Sequence, residues 1–220
     1  MKAVEAVFFD MDGLMFDTEK IYFQSNVHVL NKMGVDFTKD DYGALVGASG
    51  QAFVDAMLPF VKDMDGFNHF INEADGFFMN TITNDPIPLK KGLLELLDYL
   101  KKLKVKMGVV SSSNRQVVST LLSRAEVEDY FSFIVAADDV KNTKPDKEPY
   151  LQALELAGVD KTAAWVLEDS INGILSAKNA GIQAIMVPDM AEATEEAINY
   201  SELVVTSLLD VKDYFEELIE

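Results

Sequence analysis

The sequence predicts an α/β protein with a doubly wound parallel-sheet core and an inserted α-helical cap domain. Three observations favour this fold. Short apolar runs typical of buried strands alternate with helical patterns over most of the 220 residues. One long segment near the N-terminus interrupts that alternation and contains helical patterns only. Polar residues follow four of the apolar runs, as expected where a ligand binds beyond the carboxyl ends of parallel strands.

The first predicted strand spans residues 4–9, an apolar run rich in β-forming residues that ends at Asp10. Five similar runs occur later, at 105–110, 133–136, 163–167, 182–187 and 203–205. Helical patterns separate or follow them, at 89–103, 114–125, 147–157, 171–180 and 208–219. Strands that alternate with helices form parallel sheets covered on both faces, so we expect a Rossmann-like core.

The segment 18–82 differs from the rest because its helical patterns, at roughly 18–33, 50–62 and 66–80, are separated by no convincing strand. It lies between the turn after Asp12-Gly13 and the sequence Asp85-Pro86-Ile87-Pro88. We therefore expect a helical cap over residues 17–84, inserted into an α/β catalytic core formed by residues 1–16 and 85–220.

The composition excludes several functional classes. Apolar residues make up 49% of the chain, which is too high for an intrinsically disordered protein. The absence of cysteine rules out a disulfide framework, a thiolate zinc site and a cysteine nucleophile. Lys and Arg total 19 against 37 Asp and Glu, and the resulting net charge of −18 disfavours a nucleic-acid partner.

The sequence carries no targeting or membrane signal. The N-terminal MKAVEAVFFDMDG is too acidic, and its apolar run too short, for a signal peptide. No apolar stretch approaches the length of a membrane span. We therefore expect a cytoplasmic protein without a membrane partner, and nothing in the sequence requires more than a monomer.

Four strand ends carry polar residues of complementary chemistry. The first run ends in Asp10-Met11-Asp12-Gly13 and the second in Ser111-Ser112-Ser113-Asn114. The third is followed, after a loop, by Lys144-Pro145, and the fourth ends in Glu168-Asp169-Ser170. Since the carboxyl ends of parallel strands meet at one edge of the sheet, these distant residues are expected to form one polar cluster.

Each of these four elements has a structural explanation when it is taken alone. Asp-x-Asp-Gly after a strand is commonly a turn, and Ser-Ser-Ser-Asn or Glu-Asp-Ser before a helix is commonly an N-cap. A Lys-Pro pair usually lies at the surface. The coincidence of all four at one sheet edge favours a functional site instead.

The cluster has the composition that phosphoryl transfer requires. Carboxylates held close together repel one another and favour a cation, and oxygen ligands without Cys or a suitable His select Mg²⁺. Serine hydroxyls, backbone N–H groups at a helix N-terminus and a lysine ammonium suit a phosphate group. An ionised aspartate can attack phosphorus, and a second aspartate two residues later can act as general acid and then base.

At these residues the sequence resembles the haloacid dehalogenase superfamily, most closely its phosphatase and β-phosphoglucomutase-like branch with a small helical cap. The family's four motifs occur in order as FFDMDGLMFDT, VVSSSN, the Lys-Pro of KPDKEPY, and LEDSING. The resemblance spans nearly the whole chain, including the cap insertion. It implies chemistry on a phosphate group through an aspartyl-phosphate.

The resemblance assigns roles to the acidic residues. Asp10 would be the nucleophile that forms the aspartyl-phosphate, and Asp12 would be the general acid and base. Asp10, the backbone carbonyl of Asp12 and the side chain of Asp169 would bind Mg²⁺. Glu168 would bind the ion or orient its waters.

The resemblance also assigns the groups that hold the phosphate. Ser111 would bind the transferring phosphoryl group with help from the backbone N–H of Ser112, and Lys144 would neutralise the charge of the phosphate and the nucleophile. Asn114, in the same serine-rich motif, is expected to contact the substrate. The family's cap closes over the substrate and excludes water.

Positions close to the start of the cap have alternative interpretations. Asp17 is expected to face the substrate, but together with Thr18 it could instead cap the following helix. Tyr22 and Asn26 lie one helical turn apart. Tyr22 is the expected substrate contact of the two, and the alternative is that both side chains pack within the cap.

The sequence departs from the family pattern in three places. The common Lys-Pro-x-Pro is here Lys144-Pro145-Asp146-Lys147, and Tyr22 stands where the family's mutases carry a cap histidine. Gly47-Ala48-Ser49-Gly50 replaces a loop in which the mutases carry a phosphate-binding arginine, and residues 18–82 contain no arginine at all. These departures disfavour a mutase.

We therefore predict a Mg²⁺-dependent phosphomonoester hydrolase that acts on a small phosphorylated metabolite such as a sugar phosphate. A sugar-phosphate mutase on the same site and a non-catalytic binding module that kept the fold are the alternatives. A binding module needs no nucleophile, so Asp10 and Asp12 count against it. A dehalogenase would not need the metal-binding Asp12 and Asp169.

Overall fold

The computed structural model describes residues 4–43, 45, 50–189 and 192–219. The chain divides into two compact units, one comprising Met1–Asp17 with Ile87–Glu220 and the other comprising Thr18–Pro86. We refer to the first as the core unit and to the second as the cap unit. Among the residues described, no helix is both long enough and apolar enough to cross a membrane.

The core unit contains one sheet of six parallel strands. The strands are β1 (Ala6–Phe9), β2 (Lys106–Val110), β3 (Phe133–Val135), β4 (Ala164–Glu168), β5 (Gln183–Met186) and β6 (Leu203–Val204). Their order in the sheet is β3-β2-β1-β4-β5-β6, and every neighbouring pair is parallel. The chain starts at the centre and winds first to one side and then to the other, which confirms the predicted doubly wound, Rossmann-like fold class.

Helices occur in both units. In the cap unit they are α1 (Glu19–Lys32), α2 (Lys39–Gly43), α3 (Gly50–Val61) and α4 (Met64–Asn84). In the core unit they are α5 (Leu93–Lys102), α6 (Arg115–Arg124), α7 (Glu148–Ala157), α8 (Ile171–Ala180), α9 (Glu195–Tyr200) and α10 (Leu208–Ile219). The sequence patterns do not predict α2 and α9, because helices of five or six residues hold too few apolar positions to show a period.

The central strands of the sheet are buried on both faces, as their continuous apolar runs predict. All side chains of β1 and β4 are inaccessible to solvent. The strand register pairs Phe9 with Val109 on one side and with Leu167 on the other. The three strands therefore end at nearly the same level, which brings the residues that follow them together at one edge.

The predicted helix over 89–103 begins only at Leu93. Residues 89 and 90 pair instead with the loop that follows β1. Leu89 forms an antiparallel β-bridge with Phe16, and the Lys90 N–H donates to the Met15 carbonyl at 2.9 Å. Gly92 then adopts a left-handed conformation with a φ of +87°. A Cβ at this position would lie 2.2 Å from the backbone nitrogen of Leu209, so only glycine fits the turn into α5.

The cap unit has its own hydrophobic core. Apolar side chains of α1, α3 and α4 form one buried cluster that includes Val29, Leu30, Met57, Val61 and Phe70. The longest helix, α4, has a capped N-terminus, where the side chain of Asp63 accepts a hydrogen bond from the Gly66 N–H at 2.8 Å. It ends at Asn84, and the C-cap residue Asp85 is followed directly by Pro86, which cannot continue a helix.

Candidate active site

The central strand β1 brings Asp10 to the carboxyl edge of the sheet. The Asp10 N–H donates to the Leu167 carbonyl on β4 at 2.9 Å, and only 7% of the residue is exposed. Burial raises the pKa of Asp10 well above its ordinary value. The Lys144 ammonium opposes this rise, whereas the carboxylates of Glu168 and Asp12 add to it. The charged form of Asp10 therefore depends on cationic partners.

Lys144 is one such partner and is itself buried. Its Nζ donates to Asp10 Oδ1 at 2.5 Å, to Glu168 Oε1 at 2.5 Å and to the Val110 carbonyl at 2.8 Å. All three ammonium protons are thus used. Burial by itself lowers the pKa of Lys144, but the charges and hydrogen bonds of Asp10 and Glu168 outweigh burial, and the pKa is raised. Lys144 therefore keeps its positive charge.

Glu168 ends β4 and is fully buried. Its Oε1 accepts hydrogen bonds from Lys144 and from the Tyr150 hydroxyl, the latter at 2.8 Å. Its Oε2 accepts from the Ser170 hydroxyl at 3.1 Å and from the Ser170 N–H at 3.3 Å. Gly173 in the first turn of α8 leaves room for this carboxylate, since a Cβ there would lie 1.8 Å from Glu168 Cδ. Both oxygens of Glu168 are therefore held by the protein.

Asp10, Glu168 and Asp169 together form an oxygen-only group suited to a cation. Each offers one carboxylate oxygen, and these oxygens all lie within 4.8 Å of one another. Burial raises the pKa of Asp169, and the charges of Asp10 and Glu168 raise it further. A single ammonium among three close carboxylates leaves the group short of positive charge, and Mg²⁺ prefers such oxygen ligands. The side chains present therefore fit the predicted cation.

The serine-rich turn after β2 contacts Asp12. The Ser113 hydroxyl donates to Asp12 Oδ2 at 2.8 Å, and the Ser111 hydroxyl donates to the same oxygen at 3.4 Å. Ser111 Oγ in turn accepts from the Ser113 N–H at 3.0 Å. Ser113 could not be singled out from the sequence, because a repeat of three serines does not reveal which hydroxyls turn toward Asp12.

Three further residues of the core unit were predicted to bind the substrate. Ser112 is exposed. Asn114 is the N-cap of α6, and its Oδ1 accepts from the Val117 N–H at 2.9 Å, which is the structural alternative for this motif. Asp17 precedes Thr18, which stands at the N-cap position of α1 without a capping hydrogen bond from its side chain. The substrate contacts of Ser112, Asn114 and Asp17 stay predictions.

A further carboxylate at this sheet edge was missed by the sequence analysis. Asp189 follows β5, and its Oδ1 forms an ion pair with Lys90 Nζ at 2.5 Å. Its Oδ2 is buried and has no hydrogen-bond partner within the described part of the chain. The sequence does contain a signal, because the apolar run 182–187 is followed by Pro188-Asp189 at the edge where the other strands carry their polar residues.

The cap unit contains a cavity of about 370 Å³ with a different character. Aromatic side chains supply much of its wall, and the rings of Tyr22 and Phe78 stack with their centroids 4.2 Å apart. The Tyr42 hydroxyl donates to Glu19 Oε2 at 2.5 Å on the same wall. No lysine or arginine is among the described residues that line the cavity.

Asn26 and Asp75 are the other polar groups of note in this cavity. Asn26 is 8% exposed, and its side-chain amide has no hydrogen bond to any residue that the structure describes. Burial raises the pKa of Asp75. The predicted substrate contact of Tyr22 is not tested by these contacts and stays a prediction. Residues 47–49 of the loop that replaces the mutase arginine lie outside the described residues.

Comparison with known proteins identifies the class to which the chain belongs. The profile of the haloacid dehalogenase-like hydrolase family matches residues 7–187. The chain belongs to this family, which confirms the resemblance predicted from the four motifs. It is an enzyme, a phosphatase of the family.

Individual relatives agree with this assignment. The phosphorylated carbohydrates phosphatase of Thermotoga maritima is 32% identical over 186 residues, covering 83% of this chain and 84% of the relative. The validoxylamine A 7'-phosphate phosphatase of Streptomyces hygroscopicus subsp. limoneus is 28% identical over 207 residues, covering 93% of this chain and 94% of the relative. The crystal structure of β-phosphoglucomutase from Clostridium difficile superposes with a TM-score of 0.77 at 25% identity, covering 97% of this chain and 96% of that chain.

Proposed function

We propose that this phosphatase is Mg²⁺-dependent, hydrolyses small phosphorylated metabolites such as sugar phosphates, and works through an aspartyl-phosphate on Asp10. The observation that carries the proposal is the buried Lys144 ammonium between Asp10 and Glu168, with Asp169 beside them. This arrangement holds one carboxylate in a fixed orientation and aims positive charge at the place where phosphate charge develops. The names of the two phosphatase relatives support a sugar-like phosphate ester.

The phosphate is held by groups that directly follow β2 and by a lysine in the loop between β3 and α7. The Ser111 hydroxyl and the Ser112 N–H bind phosphoryl oxygens, and the Lys144 ammonium neutralises part of their charge. Asp10, Asp169 and the backbone carbonyl of Asp12 would hold Mg²⁺, with Glu168 binding it or orienting its waters. When bound, the cation neutralises the phosphate and polarises its bonds to oxygen.

In the first step a carboxylate oxygen of Asp10 bonds to phosphorus, and the bond from phosphorus to the ester oxygen breaks. Lys144 holds Asp10 Oδ1, so the other carboxylate oxygen is free to turn toward the phosphorus. Asp12, oriented by the Ser113 hydroxyl, donates a proton to the departing oxygen, and the alcohol leaves.

In the second step water hydrolyses the aspartyl-phosphate. Asp12, now a carboxylate, takes a proton from the water, and the water oxygen attacks phosphorus. The bond between phosphorus and the Asp10 oxygen breaks, inorganic phosphate is released and Asp10 is restored. One ester and one water thus give one alcohol and one phosphate.

The test separates the two steps with p-nitrophenyl phosphate, whose leaving group needs no protonation. Asp12→Asn should release close to one nitrophenolate per active site in a rapid burst and then turn over slowly, because its phosphoenzyme lacks a general base. Asp10→Asn should show no burst, and EDTA should abolish the burst of Asp12→Asn. A burst that persists in Asp10→Asn, or one indifferent to EDTA, would contradict the mechanism. A panel of phosphorylated sugars, polyols and nucleotides then identifies the substrate class.

A mutase remains the second candidate, favoured by the similarity to a β-phosphoglucomutase structure. Against it, residues 18–82 contain no arginine to grip a second phosphate with two parallel hydrogen bonds. The enzyme is incubated with hexose 1-phosphates, a trace of the matching bisphosphate and Mg²⁺, and both products are followed. We expect inorganic phosphate to form faster than hexose 6-phosphate, and the reverse order would establish the mutase.

A further inference from the structure

Asp189 lies beside Asp10, Glu168 and Asp169, which we call the acidic group, and among the described residues only one of its two carboxylate oxygens has a partner. Its Oδ1 is held by Lys90 Nζ at 2.5 Å, whereas its Oδ2 is buried and has no hydrogen-bond partner among the described residues. Only 13% of the side chain is exposed. Burying a carboxylate oxygen costs free energy unless the oxygen accepts hydrogen bonds. We therefore expect a donor for Oδ2 other than the described side chains around it.

Asp189 Oδ2 lies close to the carboxylate of Asp169. A Cβ built on Gly13, which has a φ of +82°, would lie 2.2 Å from Asp169 Oδ2 and 3.3 Å from Asp189 Oδ2. Both oxygens therefore face the same side of the Gly13 backbone and are neighbours. Asp189 thus lies beside Asp169, one of the three carboxylates of the acidic group.

Asp189 nevertheless lies outside the group that could share one ion directly. The carboxylate oxygens within 4.8 Å of one another belong to Asp10, Glu168 and Asp169. Mg²⁺ characteristically keeps several of its waters, and the groups that accept hydrogen bonds from such waters tune its affinity. A carboxylate oxygen that lies beside the metal ligands, but does not bind the ion itself, is suited to accept a hydrogen bond from such a water.

We propose that Asp189 is a positioning residue of the cation site, whose Oδ2 accepts a hydrogen bond from a water bound to Mg²⁺ while Lys90 fixes Oδ1. The proposal rests on the proposed function, since it assumes that the acidic group binds Mg²⁺. Lys90 is well placed for this support, because its N–H donates to the Met15 carbonyl at 2.9 Å and ties it to the loop that follows Gly13. The alternative is that the Lys90–Asp189 pair only joins two loops.

The experiment measures the dissociation constants of Mg²⁺ and Ca²⁺ by calorimetry for the wild type, Asp189→Asn and Lys90→Met. In Asp189→Asn the amide oxygen is drawn to Lys90, which places an NH₂ donor where the water needs an acceptor. We expect Mg²⁺ to bind about tenfold or more weakly to this variant. Ca²⁺ sheds its waters more readily, so its affinity should fall by less than about threefold. Lys90→Met leaves both acceptor oxygens of Asp189 in place but removes the partner of Oδ1, so its loss of Mg²⁺ affinity should be clearly smaller than that of Asp189→Asn.

Each other result overturns the inference in a recognisable way. Equal weakening of Mg²⁺ and Ca²⁺ would mean that Asp189 contributes only charge. Equal defects in Asp189→Asn and Lys90→Met would mean that the ion pair is purely structural, since both variants break it. An unchanged Mg²⁺ affinity in Asp189→Asn would exclude any role at the site. A wild type that binds no Mg²⁺ would instead refute the metal dependence of the proposed function.

Discussion

The core and cap units contain polar groups in very different surroundings. At the sheet edge of the core, Lys144 is buried and makes three hydrogen bonds, two of them to the carboxylates of Asp10 and Glu168. In the cap cavity five of the thirteen described lining residues are aromatic, and the side chain of Asn26, a residue that is 8% exposed, has no hydrogen bond to the residues described. One region holds its charges in a fixed network, whereas the other leaves a polar group available to a ligand.

This difference suggests a division of labour. Groups that are held rigidly by several partners suit a reaction in which charge develops at one fixed place. A cavity with broad apolar surface and a few polar groups suits recognition of a ligand's shape and hydrogen-bonding pattern. Substitutions in the core network should therefore reduce the rate constant of the reaction, and substitutions in the cap cavity should alter substrate affinity.

The largest effect is expected from Asp10→Asn. An amide is a poor nucleophile, so kcat should fall by at least about a thousandfold, as it does when other enzymes lose their nucleophile. The matched control is Asp55→Asn, which removes one negative charge from the exposed face of α3 in the cap and should leave kcat within about twofold. Steady-state phosphate release under saturating Mg²⁺ measures both. Near-normal turnover in Asp10→Asn would show that Asp10 is not the nucleophile and that the core network does not carry out the reaction as proposed.

The next effect concerns two lysines of the same loop. Lys144→Ala removes the ammonium from Asp10 and Glu168, and we expect a loss of kcat of about a hundredfold or more. Stability should also fall by roughly 3–5 kcal/mol, because buried carboxylates lose their partner. Lys147 is exposed at the N-cap position of α7, so Lys147→Ala should change either quantity little.

Rates and urea unfolding of both lysine variants are compared at a temperature where circular dichroism shows them folded. Similar losses of rate in the two variants would mean that the catalytic cation has been assigned to the wrong residue. A loss of stability in Lys144→Ala without a loss of rate would make the network structural rather than catalytic.

The two units also differ in how much the sequence reveals about them. In the core, apolar runs predict the strands, and parallel strands bring whatever follows them to one edge, so Asp10, Lys144 and Glu168 could be grouped without coordinates. Asp189 could not be assigned to the site from the sequence, because a single aspartate after Val187-Pro188 resembles an ordinary turn. Its significance comes from the unpartnered Oδ2 and from its proximity to Asp169, and neither is a property of local sequence.

In the cap, periodicity predicts α1, α3 and α4 but not the cavity between residues of different helices. Tyr22 and Asn26 could be placed on one face of α1 from their spacing. Whether that face meets protein or open space depends on the packing of Phe70, Ala74 and Phe78 on α4, more than forty residues later in the chain. Specificity is therefore the part of the function that the sequence predicts least.

Mg²⁺ should stabilise the core selectively. The ion relieves the repulsion among Asp10, Glu168 and Asp169, and a ligand at 100 times its dissociation constant adds about 2.7 kcal/mol. For a protein of this size that corresponds to an increase in Tm of roughly 5–10 °C. Hydrogen exchange should show stronger protection at β1 and β4 and little change in α3.

Asp169→Asn is the control for this effect, since it removes one proposed ligand and should abolish most of the shift in Tm. An equal shift in the variant would place the bound ion elsewhere. Protection that increased in α3 as much as in β1 would show that the cation does not act on the core alone.

The smallest effect is expected from Asn26→Leu in the cap cavity. If the amide of Asn26 binds a polar group of the substrate, its loss removes one hydrogen bond, worth roughly 0.5–1.5 kcal/mol, and KM should rise about two- to tenfold with kcat nearly unchanged. Leucine adds apolar surface at a residue that is 8% exposed and breaks no hydrogen bond to a described residue, so the variant should be at least as stable as the wild type. Asn31→Leu, at an exposed position of the same helix, controls for the added apolar surface. Kinetics are measured with the best substrate from the phosphate panel. A variant that gains stability while KM stays at the wild-type value would show that the cavity does not select the substrate, and the division between a catalytic core and a recognising cap would fail at this residue.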